Sequence, residues 1–536
     1  MKRTVSVTAS WMVGAALLAG ASASASAAGA AETSGVKMIE ENCGSCHTPD
    51  SSGKFPRISD IRKSPEGWDM SVSRMQRWHG VTVSAEARAA IVKYLSDTQG
   101  LAPSESEPFR YALEQQPGAM ENLPDPEMVQ MCGRCHSTAR PGLQRRDAAE
   151  WKRLINTHVG QWPTLEFQLL SRDRDWWTIA TTTTTDTLAK MWGFKSKAWD
   201  SWKGHKTPDL KGTWAVAGHQ PGKGDYSGTM TVSGGAGDRF DVRYDLSYAD
   251  GSVLKADGAS VVYTGYEWRG TVTLNGVENR EVMTLSADGK TLSGRWFGSV
   301  NDELGADVTA VKTDGKPTLI AAQPMALKAG ERAMVSLVGD SLKGAVSFGP
   351  GVTVIDSESK PWGLSVVVEV AARAAEGPRE VSVGGASLSK GAVVYDAVDR
   401  VTVEPPMMIA RVGDGGGPLP RHYAQFEAIG YLNGKDGKPG TADDIRLGAL
   451  PASWSHDNFD EAAKELEDAK FAGSIDSKTG LFTPGEAGPN PLRAYKTNNV
   501  GNLKVVAQVD NGQGKPLSAE SHLIVTVQRW VDGWIR

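Results

Sequence analysis

Two spacings of apolar positions divide this chain. In its first third apolar residues recur every three to four positions, the mark of helices with one buried face. Ser64-Pro65-Glu66 opens such a run: serine is a good N-cap, proline fits the first helical position, and Trp68, Val72 and Met75 then fall on one side. The segment Asp147 to His158 repeats it, with Asp147 and Glu150 in a capping-box pattern and Trp151, Ile155 and His158 in the places of Trp68, Val72 and Met75. Beyond about residue 205 the spacing becomes two, as in Phe240, Val242, Tyr244, Leu246 and Tyr248, with Asp250-Gly251 and Asp288-Gly289 as hairpin turns. Short valine-rich strands follow from Pro317 (Val352 and Val354, Val366 to Val370, Val381 and Val383). After the linker Val401 to Pro406 the chain ends in the alternation Leu523, Val525, Val527. The pattern predicts a multidomain chain: a mainly α domain over 29–204, then three antiparallel β domains. These are a barrel-like one over 205–315 and immunoglobulin-like sandwiches over 316–404 and 405–536.

Composition narrows this picture. The 536 residues exceed what one core fills, about 250–300. A formal net charge of -5 supplies no basic field for nucleic acid. Lys2 and Arg3, the apolar stretch Trp11 to Leu18 and the small residues Ala21 to Ala28 read as an export signal over 1–28, which predicts a periplasmic protein. That stretch falls short of the roughly 20 residues a membrane span needs, so no membrane anchor is expected.

All four cysteines fall in two C-x-x-C-H motifs, Cys43-Gly44-Ser45-Cys46-His47 and Cys132-Gly133-Arg134-Cys135-His136. Two thiols three positions apart can form thioethers to both vinyl groups of one porphyrin while the adjacent histidine faces the iron, the attachment signature of c-type haem. A zinc ribbon needs its pairs about 15–20 residues apart, and a thioredoxin-like pair should open a helix in a βαβ unit; neither context is present. The sequence therefore predicts two covalently bound haem c groups, on Cys43 and Cys46 with His47 and on Cys132 and Cys135 with His136, in a dihaem cytochrome c domain. The residue seven after each repeat tryptophan lies two turns on along the same face. Met75 is thus the candidate sixth ligand of the first haem and His158 of the second, with Met70 and His79 as rivals to Met75 and core packing as its alternative role. A thioether ligand raises the potential relative to a second imidazole, which predicts electrons entering near Cys132 and leaving near Cys43. His205, His219, His422, His456 and His522 lack ligand spacing and read as surface or core residues. Asp436-Gly437-Lys438-Pro439-Gly440 with Asp443-Asp444 suits a calcium loop or, more simply, a solvated turn.

The block containing Cys43 to His47, Pro65 to Met70 and Arg74-Met75, with Cys132 to His136, Gln161 to Glu166 and Arg172 to Trp177, resembles the α subunit of quinohemoprotein amine dehydrogenase. The resemblance implies a periplasmic heterotrimer: this subunit, a β-propeller subunit and a small subunit bearing a cysteine tryptophylquinone. It further implies oxidation of a primary amine to aldehyde and ammonia at that quinone, with electrons passing through two haems to an external copper protein or cytochrome c. All four cysteines are committed to haem, so no thiol remains for a cysteine–tryptophan crosslink, and the amine-oxidising residues are expected in another chain. Two competing functions are a stand-alone exported dihaem cytochrome with β docking domains and a dihaem peroxidase, which would need one iron with a displaceable ligand.

Overall fold

The computed structural model describes residues 27–415 and 418–528 except Asn122 and Pro124, with side chains from Gly35 onward. The expected leader over 1–28 lies, but for its last two residues, outside the described residues. In the first lobe, helices α1 (Ala27–Cys43), α2 (Pro65–His79) and α3 (Ala85–Gln99) enclose a core of Ile39, Trp68, Val72, Ile91 and Leu95. Helix α2 begins where its cap dictates, Ser64 Oγ accepting from the Gly67 N–H at 3.3 Å, and stops at Gly80, whose φ of +65° favours glycine. In the second lobe the helix Ala148–Val159 is capped by Asp147, which accepts from the Glu150 N–H at 2.8 Å. The Glu150 carboxylate itself is given over to arginines, with Arg57 Nε at 3.3 Å and Arg153 beside it. Both repeat tryptophans are buried and donate Nε1–H to a carbonyl, Trp68 to Gln99 at 3.1 Å and Trp151 to Trp192 at 3.3 Å.

The lobes meet through two three-residue strands. β1 (Ile61–Lys63) runs into α2, β2 (Gln144–Arg146) runs into the helix Ala148–Val159, and they pair antiparallel with Arg62 opposite Arg145. Counting back from the two tryptophans, Arg62 and Arg145 are repeat equivalents. Equivalent residues thus pair with each other, as a local two-fold axis requires.

The expected fold class needs correction. The chain is mostly β, with 40% of residues in strands and 24% helical, and the mainly α description of its leading domain does not hold. Among the described residues only five helices reach nine residues. The remainder of that region consists of helical pieces of three to six residues, a π-turn at Val129–Gly133, the β1–β2 pair and long irregular connections. The helical signal was concentrated in the two repeat segments and does not extend through the connections between them. The β domains are also not purely antiparallel: Ala326–Lys328 pairs parallel with Ala386–Tyr395, and Met407–Arg411 parallel with Pro516–Thr526.

Eight strands then close a barrel: β3 (Gly212–Gln220), β4 (Gly224–Gly234), β5 (Arg239–Tyr248), β6 (Val253–Tyr263), β7 (Glu267–Leu274), β8 (Val277–Leu285), β9 (Thr291–Gly298) and β10 (Gly305–Lys312). They pair in sequence order, and β10 returns to β3. Along β5 burial alternates strictly, sending Phe240, Val242, Tyr244, Leu246 and Tyr248 inward. Residues 318–395 form two four-stranded sheets around Val335, Leu337, Val366, Val368 and Val381, and the last region holds sheets of three, four and three strands.

The barrel is fastened to the regions that precede and follow it in the chain. Arg295 on β9 donates through Nη1 to the Glu114 and Gln115 carbonyls at 3.1 and 2.7 Å, and Tyr266 OH lies 2.8 Å from Ser106 Oγ. At the other seam His219 on β3 stands between Asp225 (2.7 Å from Nδ1) and Glu427 of the last region (2.8 Å from Nε2). Burial alone would lower the imidazole's pKa, but the hydrogen bonds to Asp225 and Glu427 and their charges lift it to about 10. Its folded value lies above the unfolded one of about 6.5, so this contribution to stability is complete below about pH 6.5 and is lost as pH rises toward 10. Thermal unfolding followed from pH 6 to 10 should show wild type losing its advantage over His219→Gln across that interval. Parallel curves would refute the assignment.

Candidate functional site

The first C-x-x-C-H motif occupies a single turn at the end of α1, where the Cys46 and His47 N–H groups both donate to the Cys43 carbonyl (3.2 and 2.9 Å). This turn opens onto a cavity of about 1040 Å³, lined by Cys43, Cys46 and His47 from one element and by Met75 and His79 from α2, with apolar sides such as Ile39, Val72 and Leu95. That volume is ample for a large organic cofactor. Met70 is not among the lining residues; its sulfur accepts from Arg74 Nη2 at 3.2 Å. The far wall comes from the second lobe, through Arg146, Leu154 and Thr157.

Cys132, Cys135, His136 and His158 lie outside that cavity. Cys132 sits in the π-turn Val129–Gly133, a helical irregularity that often marks functional sites. The turn is pinned by Trp176 Nε1 donating to the Met131 carbonyl at 3.1 Å. Arg134 pairs with Asp173 at 2.7 Å, so the stretch that follows residue 171 wraps the second motif. Glu121 accepts from the Thr138 N–H (3.0 Å) and hydroxyl (2.8 Å), and also from Ser137 and Tyr111. Burial opposes its ionisation, yet these donors bring the carboxyl down to about 2. His136 and His158 are neighbours: burial, then the charges of Arg140 and His158, lower the His136 pKa, and burial does the same for His158.

The thiols and imidazoles are prepared in different ways. Burial, followed by the charge of the second cysteine, raises Cys43 and carries Cys132 to about 11. Neither has the depressed thiol of a disulfide oxidoreductase. Three candidate ligands share one device: His47 Nδ1 lies 2.8 Å from the Pro56 carbonyl, His136 Nδ1 2.8 Å from that of Ser137, and His158 Nδ1 2.9 Å from that of Leu154. A carbonyl can only accept, so each Nδ1 donates and the lone pair resides on Nε2, the arrangement in which histidine meets a metal. His456 and His522 instead spend Nε2 itself, on the Ala469 carbonyl and on Asn502 Oδ1.

Four family profiles match the chain in succession. They are described as quinohemoprotein amine dehydrogenase A, alpha subunit, haem binding, over residues 33–199, and as alpha-subunit domains II over 207–313, III over 316–396 and IV over 401–535. The chain belongs to the quinohemoprotein amine dehydrogenase alpha-subunit family. It is accordingly a haem-binding subunit of a multi-subunit amine dehydrogenase. No protein of curated function matches it. Among solved structures, the redesigned β-barrel mFAP1 bound to DFHBI matches at 16% identity over 19% of this chain and 91% of that one, with a TM-score of 0.17. Mouse clustered protocadherin PcdhgC3 EC1-3 matches at 13% identity over 46% and 86% (TM-score 0.17). The Bacteroides ovatus glucan-utilization protein SGBP-B, in complex with a mixed-linkage heptasaccharide, matches at 10% identity over 60% and 62% (TM-score 0.20). Likenesses this low carry no argument. No helix among the described residues is long and apolar enough to cross a membrane.

In this alpha subunit the residues present suit an iron porphyrin: a roomy, largely apolar cavity, two thiols on one turn, imidazoles with directed lone pairs and the Met75 thioether in the same lining. The sequence reading missed what holds this arrangement. Glu105, 7% exposed, receives Arg62 through both terminal nitrogens (2.8 and 2.9 Å) and Arg145 through Nε (3.0 Å). Extending the repeat three residues N-terminal of its caps would have aligned Arg62 with Arg145 and Lys63 with Arg146. Also missed was the seam where Asp302, Glu303 and His422 bring donor atoms within 4.8 Å of one another. The carboxylates of the loop near Asp443 go instead to the loop's own N–H groups, Lys435 N at 2.6 Å and Gly440 N at 2.9 Å, and to Arg400. Burial opposes ionisation of Glu105, but the Arg62 hydrogen bonds and the charges of Arg145 and Arg62 hold it at about 2. Replacing Glu105 by Gln leaves two buried guanidinium groups facing each other and should cost about 3–5 kcal/mol in chemical denaturation. A loss below 1 kcal/mol would show that the clamp is not what joins the lobes.

Proposed function

We propose that this subunit carries two haem c groups and relays electrons between a partner subunit and an external acceptor. One haem is thioether-linked to Cys43 and Cys46 with His47 and Met75 on its iron; the other is linked to Cys132 and Cys135 with His136 and His158. The electrons come from a cysteine tryptophylquinone in a small partner subunit, beside a β-propeller subunit, where primary amines are oxidised to aldehyde and ammonia. They leave to a copper protein or cytochrome c in the periplasm, the leader over 1–28 having been removed. The observation that carries this reading is the shared tautomer of His47, His136 and His158, each turned so that Nε2 is free to bind iron.

Bound haem supplies one-electron redox chemistry. The chain's residues do the rest. Pro56, Ser137 and Leu154 fix the imidazoles through their carbonyls. Met75 shares the first cavity with His47, whereas Met70 is engaged by Arg74. With every cysteine committed to haem, the chain contributes no amine-oxidising residue, and its β domains serve as the frame on which the haem lobes and partners sit.

Purification of the native complex should yield two smaller partners, one with a quinone absorbance, and a mass for this chain increased by two haems; a monomer of unmodified mass would refute the reading. Met75→Ala should abolish thioether ligation at one iron. The reduced-to-oxidised ratio of that haem at fixed potential should fall at least tenfold, with ~59 mV per decade for a one-electron couple, while the other haem is little changed. Unaltered spectra and potentials would remove Met75 from the iron.

A further inference from the structure

One wall of the first cavity is positively charged. Arg57, Lys63 at the end of β1, Arg74 on α2 and Arg146 at the end of β2 all line it, and no aspartate or glutamate is among its lining residues. Lys63 is 6% exposed and Arg146 3%. Glu150 is the carboxylate behind this wall, and it is divided among Arg57 Nε at 3.3 Å, Arg146 Nη1 at 3.5 Å and Arg153. Arg146 spends Nε and Nη2 on Gln144 Oε1 (3.3 and 3.0 Å), and Lys63 Nζ reaches Ser71 Oγ at 2.6 Å. Two buried nitrogens remain without a hydrogen-bond partner, Arg74 Nε and Arg146 Nη1, the latter held only by its 3.5 Å ion pair with Glu150. Burial, then the charges of Arg146, Arg74 and Arg57, holds the Lys63 ammonium well below its ordinary range. Cations gathered in this way, with donors lacking hydrogen bonds and one carboxylate shared among three arginines, call for an anionic ligand, and a planar guanidinium suits a carboxylate.

We propose that Lys63, Arg74 and Arg146 form an anion seat for the two propionate carboxylates of the haem at Cys43 and Cys46, so that Arg146, a second-lobe residue, sets the potential of the first-lobe haem. This rests on the haem reading above. The vinyl edge of that porphyrin is bound to the thiols, which leaves the propionates as its free charged groups. A cation beside them offsets their charge and favours the reduced iron. Lys63 and Arg146 are equivalents under the local two-fold, yet both line this one cavity, so the first haem is gripped from both lobes.

The test uses the full chain expressed with its partners and its haem machinery, comparing Arg146→Gln, Arg146→Lys and Arg74→Gln. Peptide mass of the Cys43–His47 segment reports attachment independently of potential. With haem attached, each Gln variant should lower the first haem's reduced-to-oxidised ratio at fixed potential by about three- to tenfold, up to ~59 mV. Arg146→Lys should restore most of it, and the second haem should move less. Unchanged potentials with haem attached would overturn the seat, as would failure of the lysine variant to rescue. Arg74 is half-buried on a helix surface, so its variant decides the matter even where Arg146→Gln does not fold. Absence of haem from Cys43 and Cys46 in the unaltered protein would instead overturn the haem reading itself.

Discussion

The haem-binding third of this subunit is organised around one carboxylate. Strands of three residues are too short to hold two lobes together, and the pairing of β1 with β2 sets Arg62 directly against Arg145, like charge against like. Glu105 converts that repulsion into a clamp. It also takes the Ala102 N–H at 2.9 Å and Ser196 Oγ at 2.8 Å, while Arg62 reaches the Gly100 and Phe194 carbonyls and Arg145 that of Gly142. Residues near 62, 100, 145 and 195, distant along the chain, are thereby brought to one point. The register of β1 on β2 follows, with Lys63 opposite Gln144 and Arg146 opposite Ile61, and with it the convergence of Lys63 and Arg146 on the first cavity and the second-lobe helix as its far wall.

The barrel extends this constraint. Val282 and Phe297 of the barrel belong to the core of the second lobe, packed with Trp151, Trp176 and Trp192, so that lobe is closed partly by barrel side chains. Arg295, 5% exposed, donates only to carbonyls, those of Glu114, Gln115, Asp302 and Glu303, and so ties the β9–β10 turn to the haem region. A rigid closed sheet thus supports a region of short helices that has little regular structure with which to hold itself.

What the sequence revealed was local. Ser64, Asp147, Trp68 and Trp151 announced their helices because caps and anchors act within one or two turns, and β5 announced itself because its alternation is complete. What stayed hidden depends on partners far along the chain. Glu105 lies in a four-residue helix with no periodicity, some forty residues from each arginine it holds. The parallel pairs that correct the antiparallel expectation join segments separated by several intervening strands, and the mainly α expectation generalised two strong helices to a region built mostly of connections. Glu150 looked like half of a capping box, but the arginines that claim it come from elsewhere in the fold. At the site, the motifs gave the donors, while the tautomers of His47, His136 and His158 depend on carbonyl positions that only the folded backbone fixes.

On the proposed ligation, the duplication explains how two haems become unequal without two different folds. Met75 and His158 stand at the same distance from equally buried, equally hydrogen-bonded tryptophans, so the lobes hold geometry constant while the ligand atom changes from sulfur to nitrogen. The surroundings then break the two-fold a second time. The repeat-equivalent cations Lys63 and Arg146 are not divided between the lobes but converge on the first cavity, where positive charge adds to the effect of the thioether. The two influences act in the same sense: each favours the reduced state of the first haem over that of the second. On that proposal an electron passing from the second lobe to the first would move downhill because of two local differences superimposed on one repeated frame, and the Glu105 clamp is what joins the two lobes that carry them.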